Sequence, residues 1–354
     1  MGFELIENYA LAPLTTLKVG GAARFFVRAE NENEIAEAVD FARKRDLPVF
    51  VLGGGSNVLI SDNGFEGLVL KIANRGIEFL REKNNASVTA QAGEDWDEFV
   101  RFCVEENLAG VECLSGIPGS VGGTPVQNVG AYGQEVAETI VSVRVLERAS
   151  GIFFDLNNAD CRFAYRSSIF NTTERNRFIV LAVGFVLQPD GEPAIRYKDL
   201  HQFFALEKPN LKETRDAVLQ IRRAKSMVIA ADDPNSQSAG SFFKNPVVEI
   251  EKFARIGEIA LRLKFIENKS LPPHFPAGEN LVKIPAAWLI EKAGFEKGYT
   301  KNNRAGISSN HALALVNRGA ANAADILDLA KEIQLRVWEV FGVELKPEPV
   351  FVGF

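Results

Sequence analysis

Hydrophobic spacing divides the chain into alternating strands and helices. "ARFFVRA" (23–29) predicts a strand. In "NENEIAEAVDFARKRD", Ile35, Ala38, Val39 and Ala42 recur at i, i+3, i+4 and i+7, so a helix is expected, with Asn31 or Asn33 as its cap. "LPVFVL" is apolar throughout and predicts a strand buried on both faces. Together they form a βαβ unit that ends in "GGGSN" (53–57). "NVLISDNGFEGLVLKI" predicts a turn at Ser61–Gly64 and another strand. "ASVTAQAG" and "EDWDEFVRFCVEEN" repeat a strand–helix pair, with Trp96, Phe99, Val100, Cys103 and Val104 on one helix face. Strands resume at "IVSVRVLER" and "FIVLAVGFVLQ". "AADDPNSQS" is polar and turn-rich, a candidate domain boundary. Beyond it "PAAWLIEKAG" predicts a helix with Pro285 near its start and Gly294 past its end. "ALALVN" predicts a strand and "ADILDLAKEIQLRVWEVFG" a long amphipathic helix. No internal repeat is present.

Two glycine-rich stretches break this pattern. "GGGSN" follows a strand but is not a P-loop, because no Gly-Lys-Ser/Thr follows at the required spacing. Nor is it the dinucleotide fingerprint, which needs glycine at position 58 and a following helix; Val58 stands there, before a turn and a strand. A nest of backbone N–H groups suited to an anion is one reading, with Ser56 and Asn57 as extra donors; a tight turn is the other. The second stretch, "LSGIPGSVGGTPVQNVGAYG" (114–133), contains no Asp, Glu, Lys or Arg. Seven glycines fall between Gly110 and Gly133, so the backbone can approach a flat ligand closely. Ile117, Val121, Val126, Val129 and Tyr132 argue against a disordered loop. Two such backbones suggest a two-part ligand, a pyrophosphate and a ring system.

Composition narrows the partners. The chain has 354 residues, 46% hydrophobic and 24% charged, as in a soluble globular protein of two or three domains. The net charge of −6 and the lack of a basic block give nucleic acid or an anionic membrane no electrostatic support. Cys103, Cys113 and Cys161 show no paired spacing, which suits a reducing cytoplasm. The three histidines are far apart, so no metal motif is present and no metal is expected. "MGFELIENYA" has neither the basic start nor the apolar run of a secretory leader, and Ile6 breaks the myristoylation pattern. No stretch approaches a membrane span, and membrane insertion is not expected.

"GGGSNVLISD", "GIPGSVGGTPVQNVGAYGQE", "CRFAYRSSIF" and "AGSFFKNP", in that order, resemble the motifs of the UDP-N-acetylenolpyruvoylglucosamine reductases, flavoenzymes of peptidoglycan precursor synthesis. The resemblance runs from about Asn8 to Gly353. It implies an α+β fold: a two-part FAD-binding domain of the p-cresol methylhydroxylase type, then a C-terminal α+β substrate-binding domain. The implied divisions are 1–75, 76–225 and 226–342, with 343–354 returning near the first. It implies FAD, NADPH, a UDP-sugar substrate, a cytoplasmic location and a monomer.

The resemblance also assigns residues. Gly53, Gly54, Gly55, Ser56 and Asn57, with Gly116, Ile117, Pro118, Gly119, Ser120, Gly122 and Gly123, look like the FAD-binding loops; Asn128, Gly130, Ala131 and Tyr132 extend that surface. Arg166 looks like the arginine facing the substrate carboxylate, Ser241 the proton donor, and Glu348 in "KPEPVFVG" the catalytic acid. Tyr197 in "RYKDL" resembles the tyrosine that closes over the substrate diphosphate in one subclass of these enzymes. Tyr165, Lys225, Asn245 and His311 in "SSNHALALVN" match positions lining the nucleotide-sugar site.

The residue types suit the implied chemistry. Hydride addition to an enolpyruvyl group builds negative charge on the α-carbon and its carboxylate, and a guanidinium can grip a carboxylate in two places. The α-carbon then needs a proton, which a serine hydroxyl can give to an enolate. A second reading is an FAD-linked oxidase of a sugar or alcohol. Many of those attach FAD through a loop histidine, and neither glycine loop here contains one, so non-covalent FAD is expected. A third reading, a nucleotide-binding regulator, leaves Ser241 and Glu348 without purpose.

Overall fold

The computed structural model describes residues 2–205, 207–267 and 270–354, so the first residue of "MGFELIENYA" lies outside it. The chain forms two compact units. The first holds residues up to Ala10, Ala22–Gly55 and Gly64–Val228; the second holds Leu11–Gly21, Ser56–Asn63 and Ile229–Phe354.

Among the described residues the first unit has two larger sheets and a two-stranded one. One has the strand order Ile6–Ala10, Ala22–Ala29, Phe65–Ile72, Val49–Leu52. The two strands expected to form a βαβ pair are both parallel to Phe65–Ile72, which lies between them. Their connecting helix, Glu32–Lys44, starts where expected, with the Asn31 side chain accepting the Glu34 amide. Its buried face is Ile35, Ala38, Val39, Phe41 and Ala42. The strand Val49–Leu52 is at the sheet edge, so only Leu52 is fully buried, short of the two-sided burial that its apolar run predicts.

The second sheet of this unit is antiparallel: Phe153–Asn157, Ile140–Glu147, Phe178–Pro189, Ala86–Gln91 and Ile77–Arg81. The helix Trp96–Glu105 is capped by Asp95, whose side chain accepts the amides of Asp97 and Glu98. All five residues expected on its inner face are buried. Trp96 and Phe99 pack at a tilt against Phe185 of the sheet. Burying rings of this size stabilises the fold by about 1.5–3 kcal/mol each.

Among the described residues the second unit joins three short sheets and three α-helices. Strands Ser238–Ser241, Ala314–Asn317, Ala305–Ile307 and Thr300–Lys301 form one sheet; Val247–Glu249, Leu281–Lys283 and Phe275–Pro276 form another. The C-terminal strand Val350–Val352 runs parallel to Val58–Ile60. The long helix Ala323–Phe341 buries Ile326, Leu329, Ala330, Ile333 and Val337, and ends at Gly342 in the left-handed region. Leu17, Val19 and Leu59 join the core of this unit although they come from the N-terminal part of the chain.

Candidate active site

In the first unit the uncharged segment is ordered because it is tied to the start of the helix Trp96–Glu105. The Trp96 indole N–H donates to the Leu114 carbonyl at 3.1 Å. The Trp96 amide donates to Gly119, and the amides of Val121 and Gly122 donate to Glu94 and Ala92. Asp97 Oδ1 accepts the Gly116 amide at 2.5 Å, while Arg215 holds both Asp97 oxygens at 2.6 and 2.8 Å. Burial works to raise the Asp97 carboxyl, but Arg215 and the Gly116 amide outweigh it and hold it below the usual carboxylate range.

The glycine triplet meets this segment backbone to backbone. A Cβ on Gly54 would lie 2.5 Å from Gly119 Cα, and one on Gly53 would lie 2.8 Å from Ser120 Oγ. Only glycine allows that approach. The Lys71 ammonium donates to the Gly53 carbonyl from the neighbouring strand. Burial, with Arg28 and Arg75 nearby, lowers Lys71 to about 8.

Tyr132 and Arg166 both stand in the left-handed region. Tyr132 and Gly133 both have positive φ (50° and 83°) and connect the two-stranded hairpin Gly130–Ala131, Gln134–Glu135. Arg166, with φ of 52°, is the second residue of a tight turn closed by mutual bonds between Ala164 and Ser167. Its Nη1 donates to Gly130 at 2.9 Å, and its guanidinium lies 5.8 Å from the Tyr165 ring centre. The buried Asn128 amide bonds Glu135 and Ala164, locking hairpin to turn. Bulky residues in the left-handed region cluster where a structure fixes a functional side chain. Phe170 belongs to the core, while Tyr165 is 41% exposed.

Tyr197, also half-exposed, packs edge-on to Tyr132 at 5.6 Å. It precedes a short helix, Lys198–Phe204, whose Asp199 bonds Lys225 at 2.7 Å. Burial works against the charge of Lys225, but the Asp199 bond outweighs it and the net shift is upward. Burial raises the Tyr132 hydroxyl.

In the second unit Ser241 ends a strand distorted by a register shift between Ser238 and Ser241, with Gly240 at φ 72°. Phe242 and Phe243 follow it into the core, at 0% and 1% exposure, and fix the strand end. The Ser241 hydroxyl lies 3.1 Å from His311 Nε2. The next residues run beside the C-terminal segment. The Glu348 amide donates to Phe242, Phe243 pairs with Pro347, and the Lys244 amide donates to Lys346. The Asn57 amide donates to the Glu348 carbonyl at 3.4 Å. Ser241, His311, Asn57 and the Glu348 backbone therefore belong to one neighbourhood. Asn245 instead caps the helix Ala286–Lys292 by accepting the Ala286 amide at 2.8 Å.

Comparison with known proteins gives this arrangement a family. Residues 23–157 match the FAD binding domain family, and residues 232–352 match the C-terminal domain family of UDP-N-acetylenolpyruvoylglucosamine reductase. The reductase of that name from Thermobifida fusca is 45% identical, covering 100% of this chain and 99% of its own. The one from Streptomyces coelicolor is 46% identical, covering 98% and 90%. The chain belongs to the UDP-N-acetylenolpyruvoylglucosamine reductase family. The crystal structure of such a reductase from Thermus caldophilus has the same fold, with a TM-score of 0.64 over 99% of each chain at 24% identity.

For this reductase family FAD is the expected cofactor, and the first unit fits it. Among the described residues the buried Ser120 hydroxyl has no hydrogen-bond partner, as a group kept for a ligand would be. A Cβ on Gly123 would meet nothing nearer than Ser120 Oγ at 4.0 Å, so there is room beside that hydroxyl. Sequence reasoning missed the groups that brace the loops: Lys71, Asp97, Arg215, Asp199 and Arg222. Arg222, almost fully buried, bonds Met227 and lies against Gly116 and Tyr132. A signal existed in the helix Leu211–Ala224, where Arg215, Val218 and Arg222 share the buried stripe. Cations on a buried face need a partner.

Among the described residues no three His, Cys, Asp or Glu side chains are grouped to hold a metal, and no helix is long and apolar enough to cross a membrane.

Proposed function

We propose that the chain catalyses NADPH-dependent reduction of UDP-N-acetylenolpyruvoylglucosamine to UDP-N-acetylmuramate, in the synthesis of peptidoglycan precursors. Membership of the reductase family over the whole chain carries this reading. The FAD-linked oxidase alternative is not favoured. FAD, when bound, supplies hydride transfer from NADPH to the vinyl carbon of the substrate.

Residues 1–75 and 76–225 serve as the two FAD-binding subdomains, and 226–342 as the substrate domain. Gly53–Asn57, Gly116–Gly123 and the segment from Asn128 to Tyr132 hold the cofactor without a covalent bond. Arg166 grips the substrate carboxylate. Its charge is permanent, and its turn spends no conformational freedom at the moment of reaction. Ser241 gives its hydroxyl proton to the α-carbon. Glu348 serves as the catalytic acid or orients a positive partner, since an ionised carboxylate alone would repel the charge developing on the substrate. Tyr197 closes over the diphosphate, which places the chain in the tyrosine-loop subclass. Lys225, held charged by Asp199, pairs with that diphosphate, and Tyr165, Asn245 and His311 line the sugar nucleotide. The protein works in the cytoplasm as a monomer, on small molecules.

The test is NADPH oxidation by purified, yellow protein with and without the enolpyruvyl sugar nucleotide. Oxidation should depend on that nucleotide, yield UDP-N-acetylmuramate by mass spectrometry, and follow a ping-pong pattern. Acid precipitation should release all flavin to the supernatant. Nucleotide-independent oxidation, or flavin kept in the washed pellet, overturns the reading.

A further inference from the structure

His311 stands in the short connection between strands Ala305–Ile307 and Ala314–Asn317. The connection is closely held. The Ser308 amide donates to Ala314 and the Ala314 amide to the His311 carbonyl. The Ser309 amide donates to the Asn235 side chain, and the Asn310 amide to the buried Ser308 hydroxyl. Ala314 is the register partner of Ser241. The turn therefore returns the imidazole to the strand end that carries Ser241, and Nε2 lies 3.1 Å from its Oγ, both residues half-buried.

A serine that protonates a carbon has two requirements. Its own O–H must be directed at the carbon, and its oxygen must be stabilised after the proton leaves. A neighbour that accepts the serine proton satisfies neither. A neighbour that donates to the oxygen satisfies both, because it leaves the O–H free to turn and then bonds the alkoxide more strongly than the alcohol. Which role His311 plays is set by its tautomer.

We propose that His311 is the positioning residue of Ser241. Held as the Nε2–H tautomer, it donates to Oγ before and during proton transfer. This rests on Ser241 being the proton donor. In the step, the Oγ–H bond breaks and a C–H bond forms at the substrate α-carbon from the enolate electron pair. The alkoxide keeps its bond from Nε2–H and takes a replacement proton from water.

The test uses the FAD-loaded enzyme at saturating NADPH and enolpyruvyl sugar nucleotide. His311→Ala should lower kcat by about a hundredfold to a thousandfold, as the loss of one donor to a developing oxyanion does. His311→Gln places an amide N–H near Nε2 and should recover much of that loss. In a Ser241→Ala background His311→Ala should lower kcat no further, because two residues acting through one step are not additive. Nitrogen-15 NMR of histidine-labelled enzyme should show His311 Nε2 protonated, a readout independent of turnover. Multiplicative effects of the two alanine changes, a raised KM with unchanged kcat, or an unprotonated Nε2 would overturn the inference while leaving Ser241 as donor. Unchanged kcat in Ser241→Ala alone would instead overturn the proton-donor reading beneath it.

Discussion

The two units hold their candidate groups by different means. In the first, the main chain makes the site: glycines let two loops meet, left-handed residues fix the hairpin and the arginine turn, and buried charges brace them from behind. In the second, single side chains stand at the ends of short strands, and two buried phenylalanines and a histidine turn decide where one hydroxyl points. A site made of backbone tolerates little change at its glycines. A site made of side chains loses one function at a time.

Substituting at the loop contact should give the largest effect. Gly54→Val puts a branched side chain where a Cβ already lies 2.5 Å from Gly119 Cα, so the loops must separate. The purified variant should be colourless while its circular dichroism stays near that of the parent. A yellow Gly54→Val protein with full flavin content would mean that this contact is not the cofactor cradle.

The brace behind the loop comes next. Asp97→Asn leaves Arg215 buried, with its side chain only 10% exposed, beside a neutral amide. Breaking such a pair should lower stability by about 3 kcal/mol, read from the urea midpoint. The Asp97 carboxyl is held below its ordinary value, so its contribution is full above about pH 4 and is lost as pH falls through the lower folded value. The gap between parent and variant should therefore close in acid. A gap that stays constant to low pH would remove the ion pair from the account.

Arg166→Lys keeps the charge and loses the planar fork. Turnover of the enolpyruvyl substrate should fall roughly thirtyfold, about 2 kcal/mol in the barrier, while NADPH still bleaches the flavin. Near-normal turnover would reduce Arg166 to a member of the hairpin lock.

Lys71→Met should show in the pH dependence of stability. The folded state lowers Lys71 to about 8 from 10.5, so the unfolded chain binds more protons between those values. Stability of the parent should gain a rising component from about pH 8 toward pH 10.5, and the variant should lack it. Parallel curves for the two proteins would place Lys71 in a wetter setting.

The legibility of the sequence follows the same division. Trp96, Phe99, Val100, Cys103 and Val104 announced a buried helix face because side-chain periodicity is local; the cap, expected at Asn31 or Asn33, is Asn31. The glycine loops were visible as composition. The strand order was not, because Phe65–Ile72 enters between two strands that both precede it in the chain, and pairing is settled by the whole sheet. Nor were the braces: Asp97 reads as an ordinary first-turn acid, and its partner Arg215 lies far along the chain. The Ser241–His311 contact spans 70 residues, and nothing local to either marks it.

The most direct test of the division is to follow the two halves of turnover separately in Ser241→Ala by rapid mixing. Bleaching of the flavin absorbance by NADPH should proceed at nearly the parent rate. Its return on adding the enolpyruvyl sugar nucleotide should slow by about a hundredfold to ten-thousandfold, as the loss of a well-placed acid does. A cysteine at the same position, itself able to give a proton, should recover part of that loss. Equal slowing of both halves would show that the substitution disturbed the cofactor or the fold, and would contradict Ser241 as the proton donor.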